Sequence, residues 1–206
     1  MKQSTINHYH QHAARYQQQY DAVPASEVHA DWAGLLTQRE PGLALDIGAG
    51  SGRDARWLAA QGWQVMALEP ADDLRNLGQK LSGESVQWLK AELPELETLE
   101  VPTPGFDLIL LSAVWMHLPA EQRPQAFKRL QTCLAPNGMM IITLRFGPSD
   151  PERPMYQVSV AELAELAQQH GLVLEELSKG WSSDKLQRAE VRWKTVCIRR
   201  AAEHRG

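Results

Sequence analysis

The amino-acid sequence predicts a doubly wound α/β fold: a mostly parallel sheet of seven strands with an antiparallel last strand, preceded by a cap of helices. From residue 43 onwards, short apolar runs alternate with amphipathic stretches, which is the pattern of repeated β-α units. The last two apolar runs, 172–179 and 190–198, have no helical stretch between them, so we expect them to pair antiparallel. Before residue 41 the spacing is helical instead.

The first forty residues predict the helical cap. Apolar and aromatic side chains recur there at alternating steps of three and four, on one stripe of a helix that begins near residue 4 or 5: Ile6, Tyr9, Ala13, Tyr16 and Tyr20. A second helix follows residue 24. His8 and His12 lie one helical turn apart, but no carboxylate or cysteine accompanies them, so we expect exposed histidines and no metal site.

The β-α units follow in order along the chain. The predicted strands of the parallel part cover 43–47, 63–68, 85–89, 106–111 and 138–144. The predicted helices cover 52–61, 71–81, 120–134 and 160–167, and the third ends before the turn sequence Pro136-Asn137-Gly138. We therefore expect one domain over 1–206, with the cap over 1–40 and the core over 41–206.

Composition and charge narrow the range of partners. The chain has 21 basic and 25 acidic side chains and a net charge of −4, which gives no attraction to nucleic acid or anionic lipid. Its two cysteines, Cys133 and Cys197, are too few for a disulfide framework and are expected as buried free thiols. The polar start and the lack of a long apolar run predict a cytoplasmic protein away from membranes, as a monomer or homodimer.

A glycine-rich turn follows the first predicted strand. In Gly48-Ala49-Gly50-Ser51-Gly52 the glycines let backbone approach a ligand at the start of a helix. Asp46 precedes this turn, and Arg53 stands where a dinucleotide fingerprint has its last glycine. The spacing therefore favours S-adenosylmethionine, which has no pyrophosphate, over a nicotinamide dinucleotide.

Acidic residues follow the next two predicted strands. Glu69 lies seventeen positions after Gly52, at a strand end where its carboxylate is able to accept hydrogen bonds from both hydroxyls of a ribose. The sequence Ala91-Glu92-Leu93 follows the third strand and offers an acceptor for an adenine amino group beside apolar packing. The loop and the two acids together predict an adenosine-containing ligand.

At these residues the chain resembles the class I S-adenosylmethionine-dependent methyltransferases, in particular their small-molecule branch. The resemblance covers most of 43–145 and includes two further stretches, Phe106–Pro119 and Leu134–Met139. It implies a Rossmann-like sheet and a cap over the cofactor. It also implies that the loop from Asp46 to Gly52 holds the methionine part, that Glu69 holds the ribose and that Glu92, where the family usually has Asp, lies near adenine.

The candidate site residues fall into two groups. The expected cofactor-binding residues are Tyr16, Asp46, Gly48, Ala49, Gly50, Gly52, Glu69, Pro70, Ala91, Glu92, Leu93, Ser112, Ala113 and Val114. The expected acceptor side consists of Tyr20, Trp115, His117 and Arg145. His117 either acts as a general base or shapes the pocket without taking a proton. Arg145 pairs either with a substrate carboxylate or with a surface acid.

These residues predict methyl transfer from S-adenosylmethionine to a nitrogen, oxygen or sulfur atom of a small molecule, with S-adenosylhomocysteine as the product. The positive sulfur already activates the methyl group, so the protein chiefly needs to align donor and acceptor. One alternative is a module of the same shape that binds the cofactor without catalysis. Another is an NAD(P)-dependent oxidoreductase, against which Arg53 and the antiparallel terminal pair count.

Overall fold

The computed structural model describes residues 2–201; residues 1 and 202–206 of the predicted domain lie outside the described part. Its α-helices are α1 Gln3–Gln11, α2 Ala13–Asp21, α3 Ala25–Val28, α4 Arg53–Ala59, α5 Asp72–Ser82, α6 Arg123–Cys133 and α7 Val160–Gln169. Its strands are β1 Leu43–Ile47, β2 Gln64–Leu68, β3 Val86–Leu89, β4 Phe106–Leu111, β5 Leu134–Phe146, β6 Leu172–Glu176, β7 Ser182–Ser183 and β8 Arg192–Arg200. Short 3₁₀ turns lie at Ala33–Gln38, Gly83–Ser85, Trp115–His117 and Ala120–Gln122.

The strands form one sheet in the order β3-β2-β1-β4-β5-β8-β6. The first five pair in parallel, and β8 runs antiparallel to both β5 and β6. The predicted fold class and the antiparallel terminal pair are therefore confirmed. The two-residue strand β7, which pairs with β8 outside this order, was not predicted.

Both faces of the sheet are covered, because successive side chains of a strand point to opposite sides. In β1, Ala44 belongs to the buried cluster that contains Leu58 of α4. Its neighbour Leu45 belongs to the cluster that contains Phe127 of α6 and Leu163 of α7. Burying each large apolar side chain stabilises the folded state by roughly 1.5–3 kcal/mol relative to leaving it exposed to water. Helices on both faces make the sheet doubly wound, as predicted.

Two local predictions were wrong. The helix expected from residue 4 to residue 20 is interrupted at His12, whose φ of −114° and ψ of 22° leave the helical region. The break lets α1 and α2 pack separately along α5. The turn expected at Pro136-Asn137-Gly138 lies inside β5, where a shift in register against β4 takes up the extra residues.

The order of the strands places the site. The chain builds β1, β2 and β3 outwards in one direction and then crosses to β4 and β5 on the other side of β1. Ligands of open α/β sheets bind where the order reverses, at the carboxyl ends of the strands. The loops that follow β1 and β4 meet there. Among the helices of residues 2–201, none has the length and apolar composition needed to cross a membrane.

Candidate active site

A deep cleft opens at this edge of the sheet, and the glycine loop after β1 forms its floor. Gly48, Gly50 and Gly52 have φ values of 67°, 59° and 78°, which side chains rarely adopt. A Cβ atom on Gly48 would lie 2.6 Å from Cγ2 of Val114, and one on Gly50 would lie 3.3 Å from the ring of Tyr20. The loop therefore requires glycine at these positions for both conformation and space.

Glu69, at the end of β2, fixes the shape of this loop. Its carboxylate accepts hydrogen bonds from the backbone N–H groups of Gly50, at 2.9 Å, and Ala71, at 2.8 Å. Burial raises the pKa of Glu69 to about 7, against the two hydrogen bonds, which favour the charged form. The carboxylate also faces the cleft, so it is able to accept hydrogen bonds from a ligand as well.

Asp46 lies at the end of β1 beneath the loop. It is 1% exposed, and its Oδ2 has no hydrogen-bond partner among the described residues. Burial raises the pKa of Asp46 well above its ordinary value, and the nearby Asp54 acts in the same direction. A buried acceptor without a partner is costly, so this atom is suited to a donor supplied by a ligand.

Asp54, in the first turn of α4, ties the loop to the cap. Its Oδ1 lies 2.7 Å from Nε of Arg53, and its Oδ2 lies 3.0 Å from Nε2 of the buried His29. Burial works against the charge, but His29 and Arg53 bring the pKa of Asp54 below its ordinary value. Arg53, which replaces the last glycine of a dinucleotide fingerprint, therefore forms an ion pair with Asp54.

His117 is held on both sides of its ring after β4. Its Nδ1 lies 3.2 Å from the carbonyl oxygen of Pro154, and its Nε2 lies 3.1 Å from the hydroxyl of Tyr9. A carbonyl only accepts, so Nδ1 carries the proton and Nε2 accepts from Tyr9. Burial lowers the pKa of His117 to about 4, which leaves the ring neutral near pH 7. Arg153 donates to the same tyrosine hydroxyl at 3.0 Å.

The cap was expected to bring aromatic side chains to the cleft, and Tyr16 and Tyr20 do line it. Tyr16 is 4% exposed, and its hydroxyl lies 2.9 Å from Nε2 of His8. The expectation that His8 is exposed was wrong, because this hydrogen bond holds the imidazole in a buried position at 8% exposure. Tyr9 lines the cleft too, although only its place on the helical stripe was predicted.

Most of the predicted site residues meet in the cleft. Those that line it are Tyr16, Tyr20, Asp46, Gly48, Ala49, Gly50, Glu69, Pro70, Ser112, Ala113, Val114, His117 and Arg145. Ala113 has a φ of 61°, and its N–H donates to Oγ1 of Thr143 at 2.8 Å, which fixes the turn after β4. The sequence therefore predicted both loops at the point where the strand order reverses.

Five predicted residues lie elsewhere. Trp115 is 0% exposed and packs in the core cluster with Phe127, because the 3₁₀ turn sends its indole away from the side on which His117 lies. Its expected place on the acceptor side is therefore corrected. Ala91 and Leu93 are buried in the same cluster. Glu92 lines a separate groove beside Pro70 and Lys90. A Cβ atom on Gly52 would meet the ring of Trp88 at 2.7 Å, outside the cleft.

Sequence reasoning missed the segment between β6 and β8. Ser182, Asp184 and Arg188 line the cleft, and Oγ of Ser182 donates to Asp31 of the cap at 2.9 Å. The available signal was topological: the antiparallel return of β8 brings the residues before it back to the carboxyl edge of the sheet. A polar stretch in that position belongs to the wall of the cleft.

Comparison with known proteins agrees with this geometry. A model of the methyltransferase domain family matches residues 45–142, which include both cleft loops. Over this stretch, which is just under half of the chain, the protein is similar to that family. An uncharacterized methyltransferase of Alkaliphilus oremlandii is 28% identical over 68% of this chain and 58% of its own length. One of Staphylococcus carnosus is 28% identical over 52% and 49%. The chain thus spans about half the length of the curated relatives it matches.

Solved structures share the fold of this chain. The DhpI–SAH complex has a TM-score of 0.70 at 16% identity, over 97% of this chain and 96% of that one. The 1,6-didemethyltoxoflavin-N1-methyltransferase of Burkholderia thailandensis has a TM-score of 0.72 at 17% identity, over 96% and 88%. A TehB-like methyltransferase of Corynebacterium glutamicum has a TM-score of 0.65 at 20% identity, over 92% and 98%. At these identities the likeness concerns the fold.

Proposed function

We propose that this protein is a methyltransferase that moves the methyl group of S-adenosylmethionine to a nitrogen, oxygen or sulfur atom of a small molecule and releases S-adenosylhomocysteine. The observation that carries the proposal is the buried Oδ2 of Asp46, which lies under the glycine loop without a partner among residues 2–201. The cofactor has an ammonium group in its methionine part, and a cation with N–H donors is what this carboxylate lacks.

The other residues of the floor fit the same ligand. Glu69 keeps acceptor capacity towards the cleft beyond its two backbone partners, which suits the ribose hydroxyls. Gly48 and Gly50 bring backbone close to whatever fills the cleft. The bound cofactor would supply a methyl group that its positive sulfur has already activated. The chain's own residues then need to hold the acceptor in line and exclude water.

The helical cap and His117 are the parts of the chain placed to hold the acceptor and exclude water. Tyr9, Tyr16 and Tyr20 close the cleft with ring surfaces that displace water. The lone pair of Nε2 in His117 is occupied by the hydroxyl of Tyr9, so the imidazole holds Tyr9 in place and takes no proton from the acceptor. Of the two roles expected for His117, we propose the second, a residue that shapes the pocket.

A solved structure with a similar fold supports a small-molecule acceptor. The Burkholderia thailandensis enzyme was solved with 1,6-didemethyltoxoflavin and S-adenosylhomocysteine bound. By analogy, the cleft of this chain would take one small acceptor beside the cofactor. The cytoplasmic location and the monomeric or homodimeric state stay predictions.

Titration calorimetry with S-adenosylmethionine and S-adenosylhomocysteine tests the proposal. We expect both to bind, and we expect Asp46→Asn to weaken binding about ten- to one-hundred-fold, because the negative charge that would pair with the ammonium group is lost. The matched control is Glu84→Gln, which changes an exposed acid after α5 and should bind like the wild type. Absence of binding to the wild type would overturn the proposal. Binding without any S-adenosylhomocysteine formed across a broad acceptor panel would instead identify a non-catalytic binding module.

A further inference from the structure

Among the described residues, a buried arginine in the acceptor half of the cleft forms no ion pair. Arg145, near the end of β5, is 8% exposed and lines the cleft. Its Nη1 donates to the carbonyl oxygen of Pro148 at 2.9 Å, whereas its Nε has no partner among the described residues. Nε, which forms one edge of the guanidinium together with Nη2, is therefore unused within residues 2–201. This edge is the geometry that binds two oxygens of one oxyanion.

The two neighbouring arginines form ion pairs with acids, and Arg145 differs from them in this respect. Arg153 lies 3.0 Å from Asp150, and Arg188 lies 2.7 Å from Asp184. Both acids are therefore occupied. Oδ1 of Asp184 also accepts from Nε1 of Trp193 at 3.0 Å. Within residues 2–201, Arg145 forms no such ion pair, and the nearby Asp184, which is already paired with Arg188, acts on its charge without a direct contact.

The surroundings of Arg145 add positive charge and a flat apolar wall. Burial lowers the pKa of Arg145, and the nearby Arg188 and Arg153 act in the same direction, whereas Asp184 acts against them. Trp193 on β8 is the direct partner of Arg145 in the ladder between β5 and β8, and it lines the cleft as well. A buried charge without a direct partner is costly, and the oxyanion of a ligand would supply that partner.

We propose that the methyl acceptor carries an oxyanion, a carboxylate or a phosphoryl group, which binds the edge of the Arg145 guanidinium formed by Nε and Nη2 while the rest of the molecule packs along Trp193. The proposal rests on the proposed function, because it assigns the substrate class of the same cleft. The oxyanion anchors the acceptor and is a separate requirement from cofactor binding on the floor formed by Asp46 and Glu69.

Calorimetry on protein saturated with S-adenosylhomocysteine tests it with three probes: benzoate, phenylphosphonate and the neutral benzamide. We expect at least one of the two anions to bind and benzamide to bind about ten-fold more weakly or not at all. The two anions distinguish a carboxylate site from a phosphoryl site. Equal binding of benzamide and the anions, or no binding of either anion, would overturn the proposal. Failure of S-adenosylhomocysteine itself to bind would overturn the proposed function instead.

Variants of Arg145 test whether the anions bind at this residue. Arg145→Gln should lose anion binding about ten- to one-hundred-fold and keep S-adenosylhomocysteine affinity, whereas Arg145→Lys should keep part of the anion binding, since charge remains without the fork. Arg199→Gln, which removes an exposed arginine from β8, is the matched control and should change neither. Undiminished anion binding in Arg145→Gln would overturn the assignment.

The melting temperature separates a ligand site from a structural role. Removal of a buried charge that forms no ion pair among residues 2–201 should leave the melting temperature of Arg145→Gln at or above that of the wild type. A fall of more than about 4 °C would show a structural arginine and would contradict the proposal. If Arg145→Gln does not fold, Arg145→Lys provides the same comparison of anion and cofactor affinity, and parallel losses of both would count against the proposal.

Discussion

The two halves of the cleft are built in different ways. The floor, formed by the loops after β1 and β2, is fixed by contacts close in sequence, such as the carboxylate of Glu69 on Ala71, two residues on. The acceptor half joins residues that are far apart: Tyr9 meets His117 across 108 positions and Arg153 across 144. The floor therefore follows from a local motif, whereas the acceptor half depends on how distant elements pack. Substitutions in the two halves should differ in both size and kind of effect.

The largest effect is expected on the floor, from Gly48→Ala. The alanine would have to adopt a φ of 67°, which costs about 1–2 kcal/mol, and its Cβ would overlap Cγ2 of Val114. We expect S-adenosylhomocysteine binding, measured by calorimetry, to weaken at least about ten-fold. Gly34→Ala is the matched control, because a Cβ there meets nothing within 4 Å. Affinity within two-fold of the wild type in Gly48→Ala would show that the floor is not the rigid half.

The next effect is a pH dependence from Glu69. Because burial raises its pKa from 4.5 to about 7, the folded protein keeps a proton that the unfolded chain has already released in this range. The free energy of unfolding without ligand should therefore fall as the pH rises from about 5 to about 7, by an amount of the order of 3 kcal/mol at most. Chemical denaturation at several pH values measures it. Glu69→Gln should flatten the slope and the exposed Glu84→Gln should not; equal slopes in all three would contradict the assignment.

In the acceptor half, His117→Asn distinguishes a positioning residue from a base. An asparagine still offers one donor towards Pro154 and one acceptor towards Tyr9, so a positioning role predicts a turnover number within about ten-fold of the wild type. A general base would lose about 100- to 10 000-fold. His117→Ala removes both hydrogen bonds and is the comparison for a lost position. A loss in His117→Asn as large as in His117→Ala would restore the role of base.

The pKa of His117 gives a second measurement. Since burial lowers the pKa of His117 to about 4, the folded protein does not bind a proton that the unfolded chain binds below about pH 6.5. The free energy of unfolding should therefore fall as the pH drops from about 6.5 towards 4. The imidazole resonances of His117 in NMR should report a neutral ring down to about pH 5. A titration near pH 6.5 would show that the imidazole of His117 is not buried in solution.

The same division explains what the sequence was able to predict. The succession of strands and helices and the glycine loop follow from periodicity and from local conformational limits, so β1, Asp46 and Glu69 were found directly. Trp115 was misplaced because a 3₁₀ turn changes the direction of side chains within three residues, which hydrophobic pattern does not reveal. The break at His12 likewise depends on the packing of the cap against α5. Ser182 reaches the cleft only through the pairing of β7 with β8, a contact that no local pattern encodes.

The smallest effect should come from this last region, where Ser182 joins the segment before β8 to the cap. Its hydroxyl donates to Asp31 across 151 positions, in a partly exposed place where such a bond contributes about 0.5–1.5 kcal/mol. Once an acceptor has been identified, Ser182→Ala should raise its KM a few-fold and leave S-adenosylhomocysteine affinity unchanged, because the bond closes only the acceptor half. Ser85→Ala, which removes an exposed serine hydroxyl outside the cleft, is the matched control for steady-state kinetics. A loss of cofactor affinity in Ser182→Ala would mean that closing the cap orders the whole cleft, and the two halves would then be one cooperative unit.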